Sequence, residues 1–271
     1  MRTRYFAVLL ASLGFYTASL DPAAADTLKI GGTGSVSGAL SMIGPAFEAA
    51  TGITLQVIPS LGSTGGNAAV VNGVLDICVA GRQLKKNEAD AGLTIGASFR
   101  TPFGLVTPRR GPDELKSADI AEFYQANRPT WSDGNPVLII LRPAEEADTR
   151  LLGELFPKMS EAIAHLRTRL ELSVAATDQD NADLAERTKG SMVGMSLTQV
   201  ITEKRSLRFV SIDGVAPSLE NLENGTYPYS KNLYFVLPAK SSPAAAAFLS
   251  FIATPAGESM LRQAGIIAGA Q

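Results

Sequence analysis

Histidine, cysteine and tryptophan occur once each in 271 residues, and these scarcities exclude several chemistries. With Cys78 the sole thiol, no internal disulfide or cysteine metal cluster can form, and its place in the apolar run LDICVA reads as a buried core thiol. The one histidine, His165, sits among charged residues in EAIAHLRTRLEL, as on a solvated helix face. A histidine dyad or histidine metal set is nearly excluded, so neither a metal nor a cofactor is expected. Basic excess is also missing: 24 Lys and Arg stand against 26 Asp and Glu, with no basic run. The chain therefore lacks an electrostatic footprint for nucleic acid.

Long apolar runs are confined to the N-terminus, where a basic start, an apolar stretch from Tyr5 to Leu20 and the triplet Ala23, Ala24, Ala25 precede Asp26. The stretch is shorter than the roughly 20 residues a membrane span needs. It reads instead as a Sec-type export signal over residues 1–25, with an A-x-A cleavage site after Ala25. Cysteine is absent near that site, so the expected product is a free periplasmic protein.

Short apolar or alternating runs at residues 28–30, 53–58, 75–80, 137–141, 172–175 and 233–237 predict strands. Helical patterns at 37–50, 118–126, 149–170 and 181–189 lie between several of them. Such alternation predicts an α/β architecture with mostly parallel sheets. Thr254 and Pro255 open a last helix as N-cap and first-turn proline, and Gly265 can end it. TPFGLVTPRRGP and NGTYPYSKN are the candidate crossings between two lobes.

Two runs of small residues stand out, GGTGSVSG from Gly31 and GSTGG from Gly62, each opening onto an apolar periodic segment. Ser37 stands where G-x-G-x-x-G needs its third glycine, and ITLQVIPS lacks the acidic residue of a dinucleotide site. A phosphate-cradling P-loop is excluded because no lysine follows either run. Val36 stands where a nucleophile elbow needs serine. What survives is a pair of helix N-termini dressed with the hydroxyls of Thr33, Ser35, Ser60, Ser63 and Thr64, suited either to ordinary capping or to holding an oxyanion without reacting with it.

GGTGS, then FEAATGITLQVIPSLGSTGGNAAVVNGVLDICVAGRQL, resembles the N-terminal half of the phosphate-binding periplasmic proteins of ABC transporters. PTWSDGNPVLIILRP, SIDGVAPSLENLENGTYPYSKNLYFVL and FLSFIATPAGESMLRQAGI extend the resemblance over nearly the whole chain after residue 25, NGTYPYSKNLY being its most specific part. The resemblance implies a two-lobed, type II periplasmic-binding-protein fold, each lobe a mostly parallel sheet flanked by helices. Lobe one would comprise 26–103 plus 227–271, and lobe two 104–226. Carried over residue by residue, the ligand contacts would be Thr33, Gly34, Ser35, Ser63, Thr64, Arg142 and Thr149. The implied role is non-enzymatic capture of phosphate or a related oxyanion by a monomer that delivers it to a membrane permease.

The chain departs from that pattern after Arg142, where the family carries a small G-S-G-T donor motif and this sequence reads RPAEEADT. Glu145, Glu146 and Asp148 face solvent, or Asp148 caps the helix at Thr149 and pairs with Arg142, or the acids line the cleft and oppose phosphate. Gly81 also stands where the family places an aspartate or serine ligand. These departures keep a second class open, a sensor or accessory protein that binds a different ligand and signals to a membrane partner. A secreted hydrolase fits least, for want of a serine elbow or a histidine in a glycine loop.

Overall fold

The computed structural model describes residues 26–111 and 113–269, so the predicted export signal lies outside the described residues. The chain opens with β1 (Thr27–Gly32), a 3₁₀ turn (Gly34–Val36), α1 (Ser37–Thr51), β2 (Thr54–Ile58), α2 (Gly62–Val71), β3 (Ile77–Ala80), α3 (Lys86–Asp90) and the long β4 (Leu93–Thr107). It continues through β5 (Glu114–Leu115), α4 (Ile120–Gln125), β6 (Leu138–Leu141), α5 (Ala147–Leu155), α6 (Met159–Leu166), β7 (Ser173–Val174), α7 (Asp178–Arg187), β8 (Ser191–Ser196) and α8 (Leu197–Thr202). Last come β9 (Arg208–Phe209), β10 (Ser211–Ile212), α9 (Leu219–Glu223), β11 (Ser230–Pro238), α10 (Pro243–Ile252), α11 (Pro255–Gln263) and β12 (Ile267–Ala268).

The fold is α/β, with helices flanking a central sheet of order β2-β1-β3-β11-β4-β8-β6-β7. Both ends of that sheet are parallel, through β1 with β2 and β3 and through β6 with β7 and β8. Every antiparallel pair of strands among the described residues involves β4 or β11. β4 changes partner along its length, pairing with β11 as far as Pro102 and with β8 from Phe103 onward.

Two principal apolar cores form on either side of that change. One gathers Leu28, Ile30, Phe47, Ile77, Leu233 and Phe248; the other gathers Phe103, Tyr124, Trp131, Phe156, Met192 and Tyr227. The 3.6-residue period of α1 puts Leu40, Ile43 and Phe47 into the first core, where Phe47 meets Phe248 edge-on at 5.1 Å. Gly52, at φ 75°, ends α1 in the left-handed conformation that favours glycine. Thr254 accepts from the Gly257 N–H at 3.1 Å, starting α11 as its sequence predicts.

The helix predicted over 149–170 is two helices, α5 and α6, and begins earlier, at Ala147. Pro157 lies at the break, where it has no N–H to continue the ladder, and Lys158 adopts a left-handed φ of 59° before α6. β4 and β8 were not predicted as strands. Their glycines, hydroxyls and the Arg100 charge hide the apolar pattern, yet β8 is largely buried and the C-terminal half of β4 wholly so.

Candidate functional site

The site is built where loops from the first core face helix N-termini from the second. Gly32 takes φ 125° and has no room for a Cβ against the Val79 carbonyl, to which Thr33 N–H donates at 2.8 Å. This tight passage turns Thr33 and Ser35 inward, where both are buried with hydroxyl oxygens 3.2 Å apart.

Beneath them lies Lys231, fully buried on β11. Strand alternation puts it on the same face as Leu233, pointing inward. Its ammonium donates to Thr33 Oγ1 at 3.1 Å and Ser35 Oγ at 3.0 Å, and its remaining partner is the Asp148 carboxylate. Three donors thus meet three acceptors, which a buried lysine requires to remain charged.

Asp148 sits in the first turn of α5, where the helix dipole favours a carboxylate. Arg142 follows β6; its Nη1 donates to the Ala175 carbonyl at 2.9 Å, while Glu146 and Asp178 lie at ion-pair distances of 3.6 and 3.8 Å. Its buried Nε has no hydrogen-bond partner among the described residues. Asp178 occupies the first turn of α7 and accepts from Thr33 Oγ1 at 3.4 Å. Beside it Gln179 donates to the Gly34 carbonyl at 3.0 Å and accepts from Ser60 at 3.0 Å.

The cluster holds three carboxylates, Glu146, Asp148 and Asp178, against two cations, Arg142 and Lys231. Burial raises the Asp148 carboxyl above the ordinary aspartate value; Lys231 pulls it down and Asp178 adds like-charge repulsion. Glu146 is raised for the same first reason, with Arg142 opposing and Asp178 and Asp148 adding. Behind the cluster, on the side of the second core, Arg142, Asp148, Thr149 and Asn181 with Phe103 and Leu152 bound a cavity of about 10 Å3, roughly one water.

Of the residues singled out in the sequence, Thr33, Gly34, Ser35 and Arg142 converge here. Ser63 is buried nearby, but its Oγ accepts from the Gly81 N–H at 2.9 Å. Thr64 is exposed and accepts from Arg82 at 3.1 Å; Arg82 in turn forks onto Glu88 at 2.7 and 2.8 Å. Thr149 donates to the Arg142 carbonyl at 3.1 Å, so its hydroxyl holds the turn into α5. The acids divide: Glu145 is exposed, Glu146 is partly buried, and Asp148 is buried and pairs with Lys231 rather than Arg142.

Sequence reasoning missed Lys231, Asp178 and Gln179. The signal for Lys231 was a lysine amid the alternating strand SKNLYFVL; Asp178 and Gln179 follow the capping Thr177. The expected positions of Cys78 and His165 hold: Cys78 is buried with its thiol pushed up to about 12 by burial, and His165 is exposed on α6.

The profile of the PBP superfamily domain matches residues 17–256. The chain belongs to that superfamily. Among solved structures it is similar to a chain from Clostridium perfringens, described as a phosphate ABC transporter substrate-binding protein with bound phosphate. The two share 20% identity and a TM-score of 0.76, over 90% of this chain and 100% of the other. An ABC-type phosphate transport receptor from Vibrio cholerae gives 16% identity and 0.63 over 89% and 100%. The periplasmic molybdate-binding protein of Azotobacter vinelandii gives 13% and 0.61 over 90% and 100%. At these identities the likeness is one of fold. No curated protein matches the chain.

Proposed function

We propose that this PBP-superfamily protein is a periplasmic solute-binding protein. It captures phosphate or a related tetrahedral oxyanion between lobes formed by 26–103 plus 227–271 and by 104–226, and passes it to the permease of an ABC importer. One observation carries this reading: the buried hydroxyls of Thr33 and Ser35 meet the buried cation Lys231, and Arg142 from the second core joins the same cluster through Asp178. Such groups hold an oxyanion by charge-assisted hydrogen bonds and do no chemistry on it. Similarity to chains described as binding phosphate and molybdate points to the same ligand class. The change of partner along β4 and the entry to β11 are the natural hinge. The protein acts as a monomer, without catalysis, cofactor or metal.

The excess of carboxylates favours a second reading, an accessory protein that binds another ligand and signals to a membrane partner. Calorimetry of the chain from residue 26 with phosphate, molybdate, sulfate, amino acids and polyamines separates the two. Micromolar binding of an oxyanion, near −8 kcal/mol, is the result expected for transport. Binding confined to amino acids or polyamines would support the second reading.

A further inference from the structure

Lys231 belongs to none of the glycine and hydroxyl loops, yet it is the cation with the shortest contacts to both loop hydroxyls. Arg142 contacts neither hydroxyl: its Nη1 donates to the Ala175 carbonyl, and Glu146 and Asp178 lie at ion-pair distance. The Asp148 carboxylate, the third partner of Lys231, comes from the helix N-terminus where the related family carries small donors.

A second observation concerns Gly81. A Cβ there would lie 2.9 Å from Lys231 Cε and 3.4 Å from Ala147 Cβ. The missing side chain makes room for both the lysine stem and the start of α5, so the glycine and the Lys231–Asp148 pair form one arrangement. Gly81 and Ala147 also line a cavity of about 390 Å3, together with Arg82, Lys85 and Arg150. Glu154 lines it as well and Arg82 is paired with Glu88, so the cavity lies beside Gly81 and Ala147 with Lys85 and Arg150 as its further cations.

We infer that Lys231 is the cation that receives the anionic group of the ligand, and that Asp148 is its tethered competitor, an internal carboxylate the ligand must displace. This rests on the solute-binding reading above. Lys231 Nζ with the hydroxyls of Thr33 and Ser35 forms a three-point cradle for a carboxylate or for one face of a tetrahedral oxyanion. While Asp148 occupies it, the two halves of the molecule are joined across the cleft. An arriving anion meets a third carboxylate charge unless Asp148 swings away, and α5 carries Asp148 out as the halves part. Asp148 therefore lowers affinity for the ligand and joins the two halves when no ligand is added.

The test uses the chain from residue 26 at pH 7, unmodified and as D148S and D148N, the asparagine variant keeping an acceptor for Lys231 so that folding is preserved. Small-angle scattering without added anion reports opening, and calorimetry with inorganic phosphate reports affinity. The expected result is a larger radius of gyration for D148S, which removes the link, and phosphate binding at least tenfold tighter in both variants than in the unmodified protein, since both remove the competing charge. Unmodified protein that binds phosphate, with variants of equal radius and equal or weaker affinity, overturns the inference and leaves the solute-binding reading intact. Variants that open while neither they nor the unmodified protein binds phosphate support the joining role and count against phosphate as the ligand.

Discussion

Replacing Lys231 with methionine isolates the charge on a side chain of nearly unchanged shape. The unbranched thioether can fill the channel beside Gly81, so packing changes little. What is lost is the counter-ion of Asp148, which is 8% exposed and has Asp178, and Glu146 beyond it, as like-charged neighbours. Breaking a buried pair by removing one partner costs about 3–5 kcal/mol. At roughly 2–4 °C per kcal/mol for a protein of this size, the melting temperature should fall by about 6–20 °C. Adding D148N to K231M removes the orphaned charge and should recover most of the loss, a coupling of about 2 kcal/mol or more. The sign of the pH dependence follows. In K231M the folded-state value of Asp148 rises further above the unfolded one, so the deficit is small near pH 4 and grows as pH rises through that window. Urea denaturation at pH 4.5 and pH 7.5 measures all of this. A penalty under about 1 kcal/mol at pH 7.5, or a double variant no more stable than K231M, would show that the pair does not carry the charge balance described here.

Gly81→Ser puts a Cβ against Lys231 Cε and should part the Lys231–Asp148 contact. Scattering should show a more open molecule without added anion, and an unchanged radius would mean the lysine stem simply shifts. The fork from Arg82 holds the Glu88 carboxyl at about 2, against an ordinary value of 4.5. At about 1.4 kcal/mol per pH unit, the contacts of that carboxylate, Arg82 first with the Lys85 N–H and Asn67 adding, together contribute on the order of 3 kcal/mol, fully present above about pH 5 and lost as pH falls toward 2. Glu88→Gln should flatten the acid limb of the stability curve; an unaltered acid limb would refute the assignment. Ser35→Ala removes a hydroxyl from the cradle and should weaken phosphate binding roughly ten- to a hundredfold, in keeping with about 1.5–3 kcal/mol for a charge-assisted hydrogen bond. Unchanged affinity with a lowered melting temperature would make Ser35 a purely structural partner of Lys231.

Much of the fold was legible because its strands and helices carry apolar periods close to ideal. Thr27–Gly32, Leu138–Leu141 and α1 were found within a few residues of their observed ends. β4 and β8 were not, because β8 and the C-terminal half of β4 are buried in the middle of a sheet, where no alternation is needed, and their glycine and hydroxyl residues carry no period. For the site, the glycine and hydroxyl loop could be read because local spacing marks a helix N-terminus, and Arg142 only because the segment around it resembles the phosphate-binding family. Lys231 was missed: the alternation of its strand marks it as buried, but its role depends on Asp148, far away in sequence. The acids after Arg142 were visible as a departure, but only the tertiary contact shows that one meets a cation while another faces solvent.

A crystal structure of the chain from residue 26 grown with phosphate tests the central claim most directly. The account predicts an anion within about 3 Å of Lys231 Nζ and of the hydroxyls of Thr33 and Ser35, with the Asp148 carboxylate withdrawn from the lysine. An anion bound elsewhere, with the Lys231–Asp148 pair intact beneath it, would contradict it.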